Sequence, residues 1–329
     1  MLRIHFHRED LARTHVASTS DALWETMLSH QLSHTTDGRL VYRGWRRRTR
    51  ARAPRTAEAT LLSLSQPRGD SADLLTPLTG TLGLDAGLES LRATPAGRIR
   101  RDLAHLATRS RLPGWTRRLA DGDPDALDHV AGAMRDWHAA TVAPYQEQID
   151  RCLDADRAIR ARDALLGGPE RVLAGLPPPL RWEPPVLLSP YPKDRDLHLA
   201  GRGLLLVPSF FCWRTPITLI DPDLPPVLVY PVQHDLGWLE DPGEGGPRAN
   251  RALGALLGTT RAAVLETVGR RPVTTTGIAR TVHISAPSAS EHAAVLRDAG
   301  LITTARAGKA VLHRLSRAGA TLLDSPRPG

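Results

Sequence analysis

The segment Ser285-Ala-Pro-Ser-Ala-Ser-Glu-His292 holds five side chains that donate or accept hydrogen bonds: Ser285, Ser288, Ser290, Glu291 and His292. Short polar groups of this kind can read base edges when a helix presents them to a major groove, and a carboxylate can accept from cytosine N4. Ser288-x-x-Glu291 also has the spacing of a capping box, with Pro287 suited to a first turn and Ser285 competing as the cap. Both readings of Glu291 stay open at this level. Downstream, Arg297, Arg306, Lys309 and Arg314 supply cations that can neutralise phosphates or enter a minor groove. A solvated hairpin surface is the alternative for them.

Other groupings carry less. His5-x-His7 on a strand can hold a metal, but no third ligand stands nearby in sequence, and a polar strand face is the simpler account. Asp121-Gly-Asp-Pro-Asp125 lacks the glycine and terminal glutamate spacing of a calcium loop and reads as a turn with a helix cap. Cys152 and Cys212 have no neighbouring His-Asn set, and two cysteines exclude a disulfide framework or zinc ribbon. Neither GxxxxGK nor GxGxxG occurs. The expectation is a protein without catalytic residues, metal or cofactor.

Residues 38–57 hold eight arginines and no acid, with Tyr42 and Trp45 interleaved. A second phosphate-contacting patch or an anion site is one reading. A solvated loop, or pairing with the acidic 221–244 stretch, is the blander one. Trp182, Trp213 and Trp238 read as core packing, with an aromatic ligand pocket as the sharper alternative.

Positioning these groups requires at least two bodies. Asp241-Pro-Gly-Glu-Gly-Gly-Pro-Arg248 is poor in apolar residues and marks a linker, dividing the chain into 1–240, 241–249 and 250–324. In the first body LRIHF reads as a strand. Ser20-Asp21 caps a helix through Leu32, and Asp123-Pro124 opens another with Leu127, Val130, Met134 and Trp137 on one face. Pro144 opens a third, carrying Ile149, Leu153 and Ile159 to a Gly167-Gly168 stop. DLHLAGRGLLLVPSFF reads as a hairpin, and ITLI and PVLVYPV as further strands. The expected class is α+β, a large mixed helical and antiparallel-sheet domain ahead of a small C-terminal domain.

In the last body Leu253, Leu256 and Leu257 form an apolar stripe, continued by Val264, Leu265 and Val268. Thr274 or Thr275 caps a short helix, His283-Ile284-Ser285 turns, and helix 286–299 follows with Ala289, Ala293 and Leu296 inward. A hairpin over 301–315 and a final short helix complete the order. Helix, tight turn, helix and basic hairpin is the winged helix-turn-helix sequence of elements.

Charge is segregated in the same way. Of 43 basic residues only Lys193 and Lys309 are lysine, so arginine abundance alone says little. Residues 246–329, however, carry 12 basic residues against four acids, whereas the first 245 carry 31 of each. The whole net charge of +8 lies in the last quarter, as expected when one domain meets a polyanion. Apolar content of 41% argues against wholesale disorder, and no apolar run reaches the roughly 18 residues of a membrane span. No secretory signal is apparent, and a cytoplasmic location is expected.

LLGTTRAAVLETV, TTTGIARTVHIS, PSASEHAAVLRDAGLI and GKAVLHRLSRAG together resemble the ArsR family of bacterial transcriptional regulators over about 75 residues. The resemblance implies a winged helix-turn-helix that binds double-stranded DNA, a homodimer, a repressor and a possible small-molecule effector. Its DNA contacts would come from Ser285, Ser288, Ser290, Glu291, His292, Arg297, Arg306, Lys309 and Arg314. Metal-sensing members carry cysteines in the first helix of the motif, or Asp/His sets in the last helix. TTTGIARTV and SRAGATLLD have no Cys or His, so metal sensing of those designs is not expected. His283 stands where relatives often have glycine, which suits a left-handed turn. The larger region, notably GRGLLLVPSFFCW, resembles an uncharacterised domain of actinobacterial regulators with no assigned chemistry. The alternative function is a ligand-binding or catalytic N-terminal domain whose winged helix docks proteins.

Overall fold

The computed structural model describes residues 1–191, 194–234, 239, 251–270, 272–307 and 310–324; the proposed linker, 241–249, lies outside them. The chain is a mixed α/β protein. It divides into two compact units, one of residues 1–36 and 48–233 and the other of residues 37–47 and 234–329.

The first unit is mainly helical: α1 (Arg8–Arg13) precedes α2 (Ala22–Ser33), which starts where the Asp21 carboxylate accepts from the Leu23 and Trp24 amides, each at 3.0 Å. A side-chain acceptor here satisfies donors that a helix start leaves open. The arginine-rich stretch is α3 (Arg39–Arg52), a helix rather than a loop, and the division between the units falls within it. Tyr42, Trp45 and Thr49 are buried on one side of it while Arg39, Arg43 and Arg50 are exposed on another. Arginine is a good helix former, so the charge density hid an apolar face at helical spacing. No ion pair joins these arginines to Asp221 or Asp223 among the described residues; Asp221 pairs with Arg101.

Next come α4 (Arg55–Leu64), α5 (Leu84–Arg92), α6 (Ala96–Ala107) and α7 (Thr116–Ala120). In α8 (Pro124–Thr141) Asp123 is the cap and Leu127, Val130, Met134 and Trp137 are buried. The Trp137 indole donates to Ser29 Oγ at 2.9 Å, tying α8 to α2. The next helix, α9 (Gln146–Ala174), kinks at Gly167-Gly168, where Gly168 has a φ of 64°. Ile159, expected on its apolar face, is half exposed.

Two sheets complete this unit, and both correct the expected antiparallel arrangement. In the first, β1 (Leu2–His5) lies antiparallel to β4 (Val186–Ser189) and parallel to β5 (Arg195–His198), with β3 (Arg181–Glu183) outside β4. In the second, β2 (His15–Val16), β6 (Leu205–Ser209) and β7 (Val227–Pro231) are all parallel. The expected hairpin of residues 196–211 is absent, because β5 and β6 belong to different sheets. Ala200, Gly201 and Gly203 turn the chain with positive φ, and the Gly203 amide donates to the buried Asp10 carboxylate at 3.0 Å. Within ITLI only Ile217 pairs, as an isolated bridge to Val229. Parallel strands covered on both faces read as unbroken apolar runs, and β6 and β7 are almost wholly buried.

In the second unit α10 (Arg251–Leu257) and α11 (Thr259–Arg270) are separated by Gly258 at φ 85°. Leu253 is buried but Leu256 is 68% exposed, so the expected leucine stripe does not hold. The break at Gly258 gives each helix its own inward face. After β8 (Val273–Thr274) come α12 (Thr275–Val282) and α13 (Ala286–Asp298). The chain then forms the antiparallel hairpin β9 (Ile302–Ala307) and β10 (Ala310–Leu315), followed by α14 (Arg317–Asp324). The sheet order is β8-β10-β9, with β8 an addition to the expected hairpin. Val264, Leu265, Val268, Ile278, Leu296 and Ile302 share one core.

Candidate nucleic-acid interface

The α12–turn–α13 corner is built by local polar contacts. Thr274 caps α12, its hydroxyl accepting from the Gly277 amide at 3.1 Å. His283 ends that helix in the left-handed conformation, φ 57° and ψ 45°. Two residues later Ser285 caps α13 by accepting from the Ser288 amide at 3.2 Å. The competition between caps is thereby resolved: Ser285 holds the position, and Ser288-x-x-Glu291 is not a capping box.

Ala289, Ala293 and Leu296 bury one face of α13, which leaves Ser290 and Glu291 exposed and Ser288 and His292 half-buried. Glu291 and His292 have no side-chain partner among the described residues. Ser288 is less available, since its hydroxyl accepts from Ser285 Oγ at 3.0 Å. Arg297 is exposed but turned to its neighbour: Nη2 reaches the Asp298 carboxylate at 2.8 Å. That pairing competes with any external anion.

The hairpin register separates the basic residues expected to act together. Arg306 faces Val311 and Arg314 faces Thr303, while Ile302 faces Leu315. Side chains alternate along a strand, so Arg306 shares the face of Ile302 and Arg314 lies on the other. Both are exposed. Lys309 lies outside the described residues.

Two contributors escaped the sequence reading. His313 is buried, with Nε2 3.0 Å from Thr275 Oγ1 and Nδ1 3.2 Å from Thr304 Oγ1, so one ring joins α12 to both hairpin strands. Burial, with a smaller effect from Arg297, lowers its pKa and favours the neutral ring. Its spacing from Val311 and Leu315 carried the signal, because all three share a strand face. Arg280 is the other. It is exposed on α12 two residues from buried Ile278, nearly opposite around the helix, and has no partner among the described residues.

The remaining groupings lie in the first unit. His5 meets Asp196 at 2.7 Å and stacks on His198, while His7 stands beyond the end of β1 and donates its amide to Asp10, so the two histidines do not converge. Asp123 caps α8 and pairs with Arg118. Cys212 is buried, and the Cys152 thiol donates to the Gln233 carbonyl at 2.9 Å. Trp182 packs edge-on to Phe6 and Arg214 lies over Trp213, whereas Trp238 is outside the described residues. Among the described residues no group of three His, Cys, Asp or Glu is placed to hold a metal, and no helix is long and apolar enough to cross a membrane.

Comparison with protein-family models, with curated proteins and with solved structures finds no match to the chain.

Proposed function

We propose that the chain is a sequence-specific DNA-binding transcriptional regulator, a cytoplasmic homodimeric repressor whose C-terminal unit is a winged helix-turn-helix resembling the ArsR family. One observation carries the reading: α13 leaves Ser290 and Glu291 exposed, with no side-chain partner among the described residues, next to a hairpin bearing exposed Arg306 and Arg314. In this arrangement α13 enters the major groove of double-stranded DNA and its short polar side chains meet base edges. Arg306, Lys309, Arg314 and Arg280 hold the phosphates, fixing register without reading sequence. The first unit receives a small-molecule signal or supplies the dimer surface.

The test is a fluorescence titration of the full chain against duplexes selected from genomic fragments, repeated across salt concentrations. Affinity falls steeply with salt, and Arg306→Ala combined with Lys309→Ala lowers both affinity and slope. Unchanged binding in that double variant removes the hairpin from the reading. A second reading is a protein-docking module beside a ligand-binding or catalytic domain, with Leu256, Val295 and Val311 as the exposed large apolar side chains of the second unit among the described residues. Recovery of no preferred sequence in the selection supports that one instead.

A further inference from the structure

In the first unit, α6 and α7 with the loop between them border an open surface cleft of about 640 Å³. That volume lies within the range of sites for small organic ligands. Arg100, Leu103, Ala104 and Ala107 line it from α6 at successive helical-turn spacings, so one helix face forms a wall. Leu112 and Pro113 continue the apolar lining from the loop. Trp115 follows that stretch and packs edge-on to His129 of α8, which anchors it.

The charge on the rim is the informative feature. Four arginines of residues 84–141 are paired within the fold: Arg92 reaches Asp128 at 2.5 Å, Arg109 reaches Asp70 at 3.0 Å, Arg118 reaches Asp123 at 2.9 Å and Arg135 reaches Asp85 at 2.7 Å. The three that border the cleft are not. Arg111 and Arg117 are exposed with no side-chain hydrogen bond or ion pair among the described residues, and Arg100 reaches only the Ala120 carbonyl, at 3.4 Å. Guanidinium groups present a planar fork of donors matched to an oxyanion, and here three arginines line the same cleft as an apolar helix face.

We propose that this cleft binds a small amphipathic anion, with an oxyanion head held by Arg100, Arg111 and Arg117 and an apolar body laid against Leu103, Ala107 and Leu112. Binding at the cleft does not depend on the C-terminal unit reading DNA; only a role as effector rests on that reading.

The experiment is calorimetric titration of the full chain with decanoate and phenylbutyrate, and with decanol and inorganic phosphate as apolar-only and charge-only counterparts. At least one carboxylate binds saturably, one per chain, and decanol and phosphate bind at least about 10-fold more weakly. Arg111→Gln with Arg117→Gln, two exposed positions whose loss leaves the fold intact, weakens carboxylate binding about 10-fold or more. Arg135→Gln, which breaks a surface pair away from the cleft, leaves it unchanged. Amide-exchange protection on binding falls within residues 96–120. The proposal is overturned if neither carboxylate binds saturably, if decanol matches its acid, if the double variant binds like the parent, or if protection lies elsewhere. With the carboxylate bound, DNA affinity shifts; an unshifted titration removes the effector role and leaves the site standing.

Discussion

Glu25 is completely enclosed on α2, yet its two carboxylate oxygens accept from the Phe210 and Phe211 amides at 2.7 and 3.0 Å, holding the exit of β6. Desolvation outweighs those hydrogen bonds and pushes the carboxyl up from 4.5 to about 7, with the nearby Asp21 charge acting in the same direction. Between those two values the native state holds more protons than the unfolded chain. Stability from this group is therefore fully present below pH 4.5 and declines as pH rises to about 7. His30 acts in the opposite sense, because burial lowers it from 6.5 to about 3 and its contribution fades on acidification. Only a comparison between variants isolates Glu25. Glu25→Gln keeps one acceptor and removes the titration, so parent stability relative to the variant falls by something on the order of 3 kcal/mol from pH 4.5 to 7. Denaturant melts of both proteins across that range decide it; a difference that stays constant contradicts the assignment.

At the scale of elements, the caps at Ser20-Asp21 and Asp123 were legible, and Thr274 and Ser285 were each one of two candidates. The Ser316 hydroxyl that accepts from the Gly319 amide at the start of α14 was missed, and most strand partners were not legible. Asp21, Asp123, Thr274 and Ser285 act on amides within three residues, so the information is local. Strand pairing is not local: β6 finds β2 and β7 across long separations, and its unbroken burial erased the alternation that pattern reading needs. Two-residue β8 is too short to show any period, and α3 concealed its buried Tyr42 and Trp45 under arginine. The exposed side of α13 followed from the spacing of Ala289, Ala293 and Leu296. The tie made by His313 did not, because it joins residues 38 apart to Thr275. The cap of α13 gives the sharpest test at this scale. Ser285→Ala orphans the Ser288 amide and costs about 1 kcal/mol, with faster amide exchange over the first turn. Ser288→Ala removes no cap and costs a few tenths of a kcal/mol at most. Equal losses in the two variants would sink the assignment of Ser285 as the cap.

For the whole molecule, the charge of +8 is better described as a region of 245 residues with no net charge joined to a basic segment, and under the proposed DNA binding that segregation makes the number of bound chains measurable. Each phosphate neutralised on duplex DNA contributes about 0.9 to the slope of log affinity against log salt. A cation in the hairpin is counted once if one chain binds and twice if two chains occupy half-sites about one helical turn apart. Arg306 suits the count, since it is exposed and has no partner among the described residues whose loss would disturb the fold. Under the proposed homodimer Arg306→Gln lowers the slope by about 1.8, whereas a single bound chain gives about 0.9. Substituting Arg118, which spends its charge on Asp123 and Asp125 in the first unit, serves as the control and leaves the slope unchanged. Light scattering on the same complex supplies an independent mass, two chains of 35.8 kDa on one duplex. A slope change near 0.9 with one chain per duplex would refute the dimer but keep the hairpin contact. No change at all would refute Arg306 as a phosphate ligand, whatever the stoichiometry.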